Sequence, residues 1–388
     1  MTAAATARRR RVGTTCLLAA GAGAVLLVAA GRQGGQPWLP SYLFVWLFVL
    51  GLSLGSLALV VVHNLTGGEW GQLAQAFLQA ALRLFPLTAL LALPILIAPG
   101  QLLPWMRAPT DASDAALAAG QSWYLNSSFF YLRAILYFAI WLGLAQRLRA
   151  DRAWATRHLG PPPRQAVSAL GFVLYAITTT FAAVDWTMSL TPSWHSTAFG
   201  LVIGTGQVLS ALAGAIVCAK VLATGVIDAP LRQRFHDLGN LALALVLVWA
   251  YLSLMQFLII WIEDLPDETA WLLLRSRTSW SALTSLVVIA HFLLPFLLLL
   301  SRRAKRAPAV LAAVAVLVLL ACLADNFWLV VPIFRPRGFA LQYSDLGALL
   351  AIGGLWLGGL IFVLGPAAVD PLHDGLAERT SDHGAQPV

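Results

Sequence analysis

The sequence predicts an all-α integral membrane protein of about ten transmembrane helices with both termini in the cytoplasm, and three observations predict it. Of the 388 residues, 59% are hydrophobic and 11% charged, with a mean hydropathy of +0.78, a balance that cannot fold as a water-soluble globule. A spanning helix needs roughly 20 apolar residues at 1.5 Å rise each, and the sequence offers such stretches near 12–30, 40–63, 83–103, 123–147, 165–190, 195–221, 238–262, 279–301, 308–330 and 345–368. The cations are also distributed unevenly. With the N-terminus inside, most of the 25 Lys and Arg fall in cytoplasmic segments, dominated by Arg8–Arg11, Arg147–Arg164 and Arg302–Arg306. Only Arg32, Arg107, Arg275, Arg277, Arg335 and Arg337 fall outside, and Arg133 lies within a span. That asymmetry is the positive-inside pattern, so the net charge of +8 is an orientation signal and no nucleic-acid footprint.

The connections are mostly short, which leaves no inserted soluble domain. The expected organisation is a basic cytoplasmic N-terminus (1–11), one polytopic membrane domain (12–368) and a polar, disordered cytoplasmic tail (369–388). The basic start and first apolar run could also read as a secretory signal. The run is long and the next segment is another span, which favours a retained helix.

An ionisable group in hydrocarbon costs several kcal/mol, so the polar residues inside the spans carry most of the functional information. In the second span, Gly51 and Gly55 have the GxxxG spacing that lets another helix approach closely. His63 lies at its cytoplasmic end, before a Thr66–Gly67–Gly68 turn. The stretch 69–84 then reads as an interfacial helix anchored by Trp70.

The fourth span puts Arg133 roughly 15 Å below its outer end, too deep for easy snorkelling. Arginine keeps its charge at any physiological pH and needs an acid, carbonyls or water. Asn126 and Tyr137 share its face; a structural ion pair and a functional charge are equally good readings.

Between the fifth and sixth spans, Asp185 stands near the outer end with Thr178 on its face, and Pro192 sets a tight turn. Trp186, Trp194 and His195 fill the interface, where an Asp beside a His can pass a proton, since histidine titrates near pH 6.5. A capped helix end with an aromatic belt is the plainer alternative.

The seventh span is the most polar. Asp237 and Asn240 open it, Trp249, Ser253, Gln256, Ile260 and Glu263 share one helical face, and Tyr251 adds a hydroxyl at mid-depth. The loop beyond, with Asp264, Asp267, Glu268, Arg275 and Arg277, reads as a solvated docking surface. His291 lies roughly 20 Å into the eighth span, with Pro295 one turn on, where the ring frees a carbonyl. Asp325 closes the ninth span beside Asn326 and Trp328. Polar groups thus occur at outer (Asp185, Glu263, Asp325), middle (Arg133, Tyr251, Gln256) and inner (His63, Asp237, His291) depths, as a hydrated proton path would need.

Several classes are excluded. A b-type haem wants facing axial histidines at matched depth, whereas His63, His195 and His291 lie at three depths, and His158, His236, His373 and His383 fall outside the hydrocarbon. Cys16, Cys218 and Cys322 lie in apolar spans without metal spacing and read as small core residues. There is no P-loop, dinucleotide fingerprint or Ser/His/Asp arrangement.

Several segments resemble a known family: HNLTGGEWG (His63–Gly71), FPLTALLALPI (Phe85–Ile95), WYLNSSFFYLR (Trp123–Arg133), FAAVDWTMSLTPSWHST (Phe181–Thr197), HDLGNL (His236–Leu241), WAYLSLMQFLIIW (Trp249–Trp261), LPDETAWLLLR (Leu265–Arg275) and HFLLPFLLLLSRRAKR (His291–Arg306). They are similar to the F subunit of bacterial alternative complex III, a quinol-oxidising respiratory complex, within the polysulfide-reductase-like family of membrane subunits. The resemblance implies two four-helix bundles flanked by one helix at each end, in the bacterial inner membrane. It also implies partners: a related quinol-binding membrane subunit, multihaem cytochrome and iron–sulfur subunits that carry the haem and iron–sulfur clusters, and in some cases a terminal oxidase. This chain would itself hold no cofactor, with quinol or quinone nearby. The family commonly has two adjacent histidines where this chain has His63–Asn64. Thr191, Ser193 and His195 stand where it usually has an Asp, a first His and a Tyr.

The expected function is therefore a scaffolding subunit of that respiratory complex, not catalytic alone. Its expected proton path comprises His63, Arg133, Asp185, His195, Asp237, Tyr251, Gln256, Glu263, His291 and Asp325. Asp185, Trp186, Trp194 and His195 form a quinone-adjacent group, apolar with a few polar handles. A stand-alone secondary transporter and a purely structural membrane anchor are the alternatives. Transporters usually show paired broken helices, and Gly200/Gly204 and Gly354/Gly358 read instead as packing motifs.

Overall fold

The computed structural model describes residues 3–32, 38–107, 119–154, 164–223 and 227–364; the tail 369–388 lies outside them. The described residues form helices and no strand. In chain order we label α1 (Ala3–Arg32), α2 (Leu39–Thr66), α3 (Trp70–Arg83), α4 (Phe85–Leu90), α5 (Leu93–Ile97), α6 (Ser127–Trp154), α7 (Arg164–Trp186), α8 (Phe199–Leu222), α9 (Ala229–Glu263), α10 (Pro266–Ser276), α11 (Trp280–Leu300), α12 (Arg302–Arg306), α13 (Pro308–Phe334) and α14 (Tyr343–Val363). Among the described residues, nine helices are long and apolar enough to cross a membrane, and a bent pair, α3 with α4–α5, brings the total to ten.

The bent pair departs from the expected third span at 83–103 and from an interfacial helix at 69–84. It starts at Trp70 and runs antiparallel along the whole of α2. Gly71 abuts the His63 ring at one end, Trp46 Nε1 donates to the Thr88 carbonyl midway (3.1 Å), and the Tyr42 hydroxyl donates to the Leu91 carbonyl at the other end (2.9 Å). The 43° bend falls between Arg83 and Phe85, where Pro86 has no N–H to continue the ladder. Trp70–Arg83 carries Gln72, Gln75 and Gln79, yet Leu73, Ala74, Phe77 and Leu78 are buried; the helix faces protein, so it need not be apolar all round. The turn into it needs Gly67 (φ 72°) and Gly68 (φ 99°), a left-handed region costly to other residues.

Helices α2, α3–α5, α6 and α7 pack as one bundle, and α8, α9, α11 and α13 as a second; α2 meets α8 and α13 at the joint. α2 is the hub, with 83% of its central window buried. Gly51 and Gly55 face Gln207 of α8, and a Cβ on Gly55 would overlap the Gln207 carbonyl, so the predicted GxxxG contact is the bundle joint. The two flanking helices pair with each other: Gly354 and Gly358 admit Cys16, Leu17 and Ala20 of α1, and Gly13 meets Phe362. That antiparallel pairing leaves the start of α1 and the end of α14 on the same side.

Candidate functional site

The buried polar groups sort into locked clusters and one open cavity. Arg133 of α6 is 6% exposed and Asp185 of α7 is 1% exposed. The guanidinium grips the carboxylate with two bonds, Nε to Oδ2 at 2.8 Å and Nη2 to Oδ1 at 2.7 Å. The Tyr137 hydroxyl donates to the same Oδ2 at 2.8 Å, and Arg133 Nη1 donates to the Tyr124 carbonyl at 2.8 Å. The Tyr124 and Phe129 rings lie 3.9 and 4.4 Å from the guanidinium carbon. Every oxygen of Asp185 thus has a partner, the condition for a buried ion pair to persist.

A second lock, absent from the expected set, joins Arg335 to Asp345 by two 2.8 Å bonds; the Ser41 hydroxyl of α2 donates to the same carboxylate at 2.6 Å. It ties the end of α13 and the start of α14 to α2. Asp345 also accepts from the Gln342 N–H, completing a capping box.

Arg275 corrects an expectation. It was grouped with solvated loop charges, but it is 1% exposed. It donates to the carbonyls of Trp271, Trp328 and Leu329, with its guanidinium carbon 3.8 Å from the Trp271 ring centroid. Burial lowers its pKa; the carbonyls and indole faces are what hold the charge. The sequence signal was Trp271, one turn before it. Arg275→Ala strands the Trp328 carbonyl, which Pro332 leaves without a helical N–H donor, at a cost of about 1–3 kcal/mol, and should free α10 from α13. Limited proteolysis within 266–276 reads this out. Arg275→Lys should behave like the alanine variant, because an ammonium lacks the planar fork.

The open cavity lies at the bundle joint. α11 departs from α-helical geometry over Val288–Leu293, a π segment of the kind found where a helix must re-aim a side chain. The segment carries His291, which is fully buried. The imidazole stacks on Trp249 of α9 (centroids 3.8 Å, planes 23°), and its Nε2 is 3.5 Å from Cys322 Sγ of α13. Nδ1 is buried without a protein hydrogen-bond partner. Beside it is a cavity of about 30 Å³ lined also by Gln207, Ser210, Asp325 and Asn326, with Phe48 and Gly51 of α2 opposite. That is room for a water molecule among several polar partners. A neutral imidazole with one donor and one acceptor nitrogen, beside a carboxyl and such a space, can hold and hand on a proton.

The other expected residues do not join this cluster. Trp186 packs edge-on against Trp46 and Tyr137, inside the first bundle. Trp194 and His195 line an outer hollow of about 140 Å³ with Gln121 and Tyr124; Asp185 does not line it. Trp194 stacks on Trp271 at 4.6 Å. Gln256 accepts from Ser196 at 3.3 Å. His63 sits at the far end of α2, edge-on to Trp70. Asp237 accepts from Gln233 on the exposed side of α9. Tyr251, 61% exposed, and Glu263 face outward. Of the ten residues, Arg133 and Asp185 meet in the first lock, His291 and Asp325 share the cavity, and the other six lie apart from both.

Among the described residues, no group of three His, Cys, Asp or Glu side chains is placed to hold a metal ion. No protein-family model and no curated protein matches the chain.

Proposed function

We propose that this multi-pass membrane protein is a scaffolding subunit of a quinol-oxidising respiratory complex of the alternative complex III type, with the His291–Asp325 cavity as its proton-holding element. One observation carries the reading: sequence segments that resemble that family, far apart along the chain, meet in pairs at the polar clusters. Trp123–Arg133 meets Phe181–Thr197 through Arg133 and Asp185, and Trp249–Trp261 meets His291–Arg306 through the Trp249–His291 stack. The locked pairs suit a brace that must keep one shape while partners bind. The separate cavity supplies exchangeable sites that the locks do not.

Continuity of α9 weighs against the transporter reading. If the bundles are matched span for span, the broken third span corresponds to α9, which runs unbroken from Ala229 to Glu263, whereas transporter repeats usually break in matching places.

Purification in mild detergent tests the assembly. The expected result is co-elution of c-type haem absorbance and a second large membrane subunit; a gently solubilised preparation without haem proteins overturns the reading. The cavity is tested in the reconstituted complex. Asp325→Asn and His291→Phe should lower the protons moved per electron while the purified complex keeps its composition. Unchanged stoichiometry in both variants would favour a structural anchor.

A further inference from the structure

A deep apolar groove, unrelated to the polar clusters, lies between the α1–α14 pair and the two-bundle body. Its volume is about 980 Å³, and its walls come from α1, α2, α3, α8, α13 and α14. An apolar cavity of about 150 Å³ already binds benzene and stays free of water; this groove is several times larger, and its walls would forfeit their dispersion contacts if nothing filled it. Along α14 it extends from Leu349 to Leu364, roughly 22 Å by helical rise and so most of a ~30 Å hydrocarbon core.

Its two ends differ. Towards the interior of the membrane it is closed by Val45, Phe48 and Leu349, without a charge. At the other end, where α1 starts and α8 and α14 finish, Val12, Val221, Leu222 and Leu364 form the mouth. Arg10 and Arg11 precede Val12 on α1 and are exposed, and the half-buried Lys220 precedes Val221 in the last turn of α8. Among the described residues, none that lines the groove is acidic. The cation distribution assigns this end to the cytoplasmic leaflet, where anionic headgroups meet Lys and Arg.

We infer that the groove is a binding site for an anionic phospholipid of that leaflet, its acyl chains between the α1–α14 pair and the body and its phosphate at Arg11 and Lys220; Arg10, two positions from Val12, lies on the far side of α1. A bound lipid would act as the filler that couples the peripheral pair to α2 and α8. Neither a transmembrane helix of a partner nor an isoprenoid quinone tail would need the cations at the mouth.

The test uses the full-length protein, purified in mild detergent and examined by native mass spectrometry and lipid extraction. Wild type should retain phosphatidylglycerol or cardiolipin in preference to phosphatidylethanolamine. Replacing Arg11 and Lys220 singly by Ala should lower retention roughly fivefold per side chain while Arg10→Ala leaves it unchanged, and Val217→Trp, which fills the groove, should abolish it while the protein stays monodisperse. After delipidation, added phosphatidylglycerol should raise the melting temperature of wild type and leave Val217→Trp unmoved, with phosphatidylcholine weaker on wild type. Equal effects of the two lipids, retention unaffected by the Arg11→Ala/Lys220→Ala double variant, recovery of a quinone in place of phospholipid, or a polypeptide helix seated in the groove would each overturn the inference.

Discussion

Replacing Asp185 with alanine should lower stability by about 3–5 kcal/mol, the usual result of leaving one member of a buried ion pair without its partner. The size follows from the surroundings. Arg133 makes two charge-assisted bonds to this carboxylate and is itself 6% exposed, so bulk water cannot replace them. The Tyr124 carbonyl and two aromatic faces would retain part of the guanidinium's solvation, so the variant should fold poorly but not vanish. Asp185→Asn should sit between alanine and wild type, since the amide oxygen can still accept while the charge is gone. Tyr137→Phe removes one hydrogen bond to a charged group, worth about 1.5–3 kcal/mol. Thermal or SDS-titrated unfolding in one detergent checks the series. The double variant Arg133→Met with Asp185→Leu should recover most of the loss, because an apolar pair of similar volume avoids the desolvation penalty. An Asp185→Ala protein that unfolds within about 0.5 kcal/mol of wild type, the range of a neutral surface substitution, would show that the carboxylate is not the counter-ion.

The need of Arg133 for an acid, carbonyls or water was legible in the sequence; its depth was not, since α6 begins at Ser127 and leaves it roughly 9 Å from the helix start. Which acid it meets was not legible either, since three outer carboxylates were available. Proximity of Asp185 to it is a property of how α6 and α7 pack. Of the helical face Trp249, Ser253, Gln256, Ile260 and Glu263, Trp249 and Ile260 are buried, Ser253 and Gln256 are partly buried, and Glu263 at the helix end is exposed. Tyr251 stands two positions, about 200°, from Trp249 on a 3.6-residue helix, which already places it on the opposite, outward side. The third span was misplaced at its start because hydropathy measures exposure to lipid. Trp70–Arg83 is shielded by α2 and α8, so its glutamines read as interfacial. Arg275 was misread for a related reason: its acidic neighbours Asp267 and Glu268 suggested a solvated loop, while the Trp328 indole and the Trp328 and Leu329 carbonyls that complete its burial come from α13, more than fifty residues later. The π segment at His291 leaves no local pattern at all, because it exists to fit a side chain between two other helices.

The second large effect concerns the joint between the bundles. Gly55→Ala should destabilise the protein by about 1–3 kcal/mol or more, the range for overpacking a close-packed contact, because the added methyl meets the Gln207 backbone, which cannot rotate aside. Gly51→Ala supplies the internal control. There the nearest atom is the flexible Gln207 Cγ at 3.3 Å, so a rotamer change absorbs the methyl and the loss should be well below that of Gly55→Ala. The contrast separates a backbone contact from general crowding; equal losses would mean that α2 and α8 are further apart than the structure places them. The consequence reaches the cavity. Gln207 and Ser210 ride on α8, Gly51 on α2, and all three line the space beside His291 and Asp325. Pushing α8 outward at Gly55 therefore widens a cavity sized for a water molecule. Gly55→Ala should alter proton coupling together with melting, whereas Asp185→Asn, at a residue that does not line the cavity, should alter melting alone.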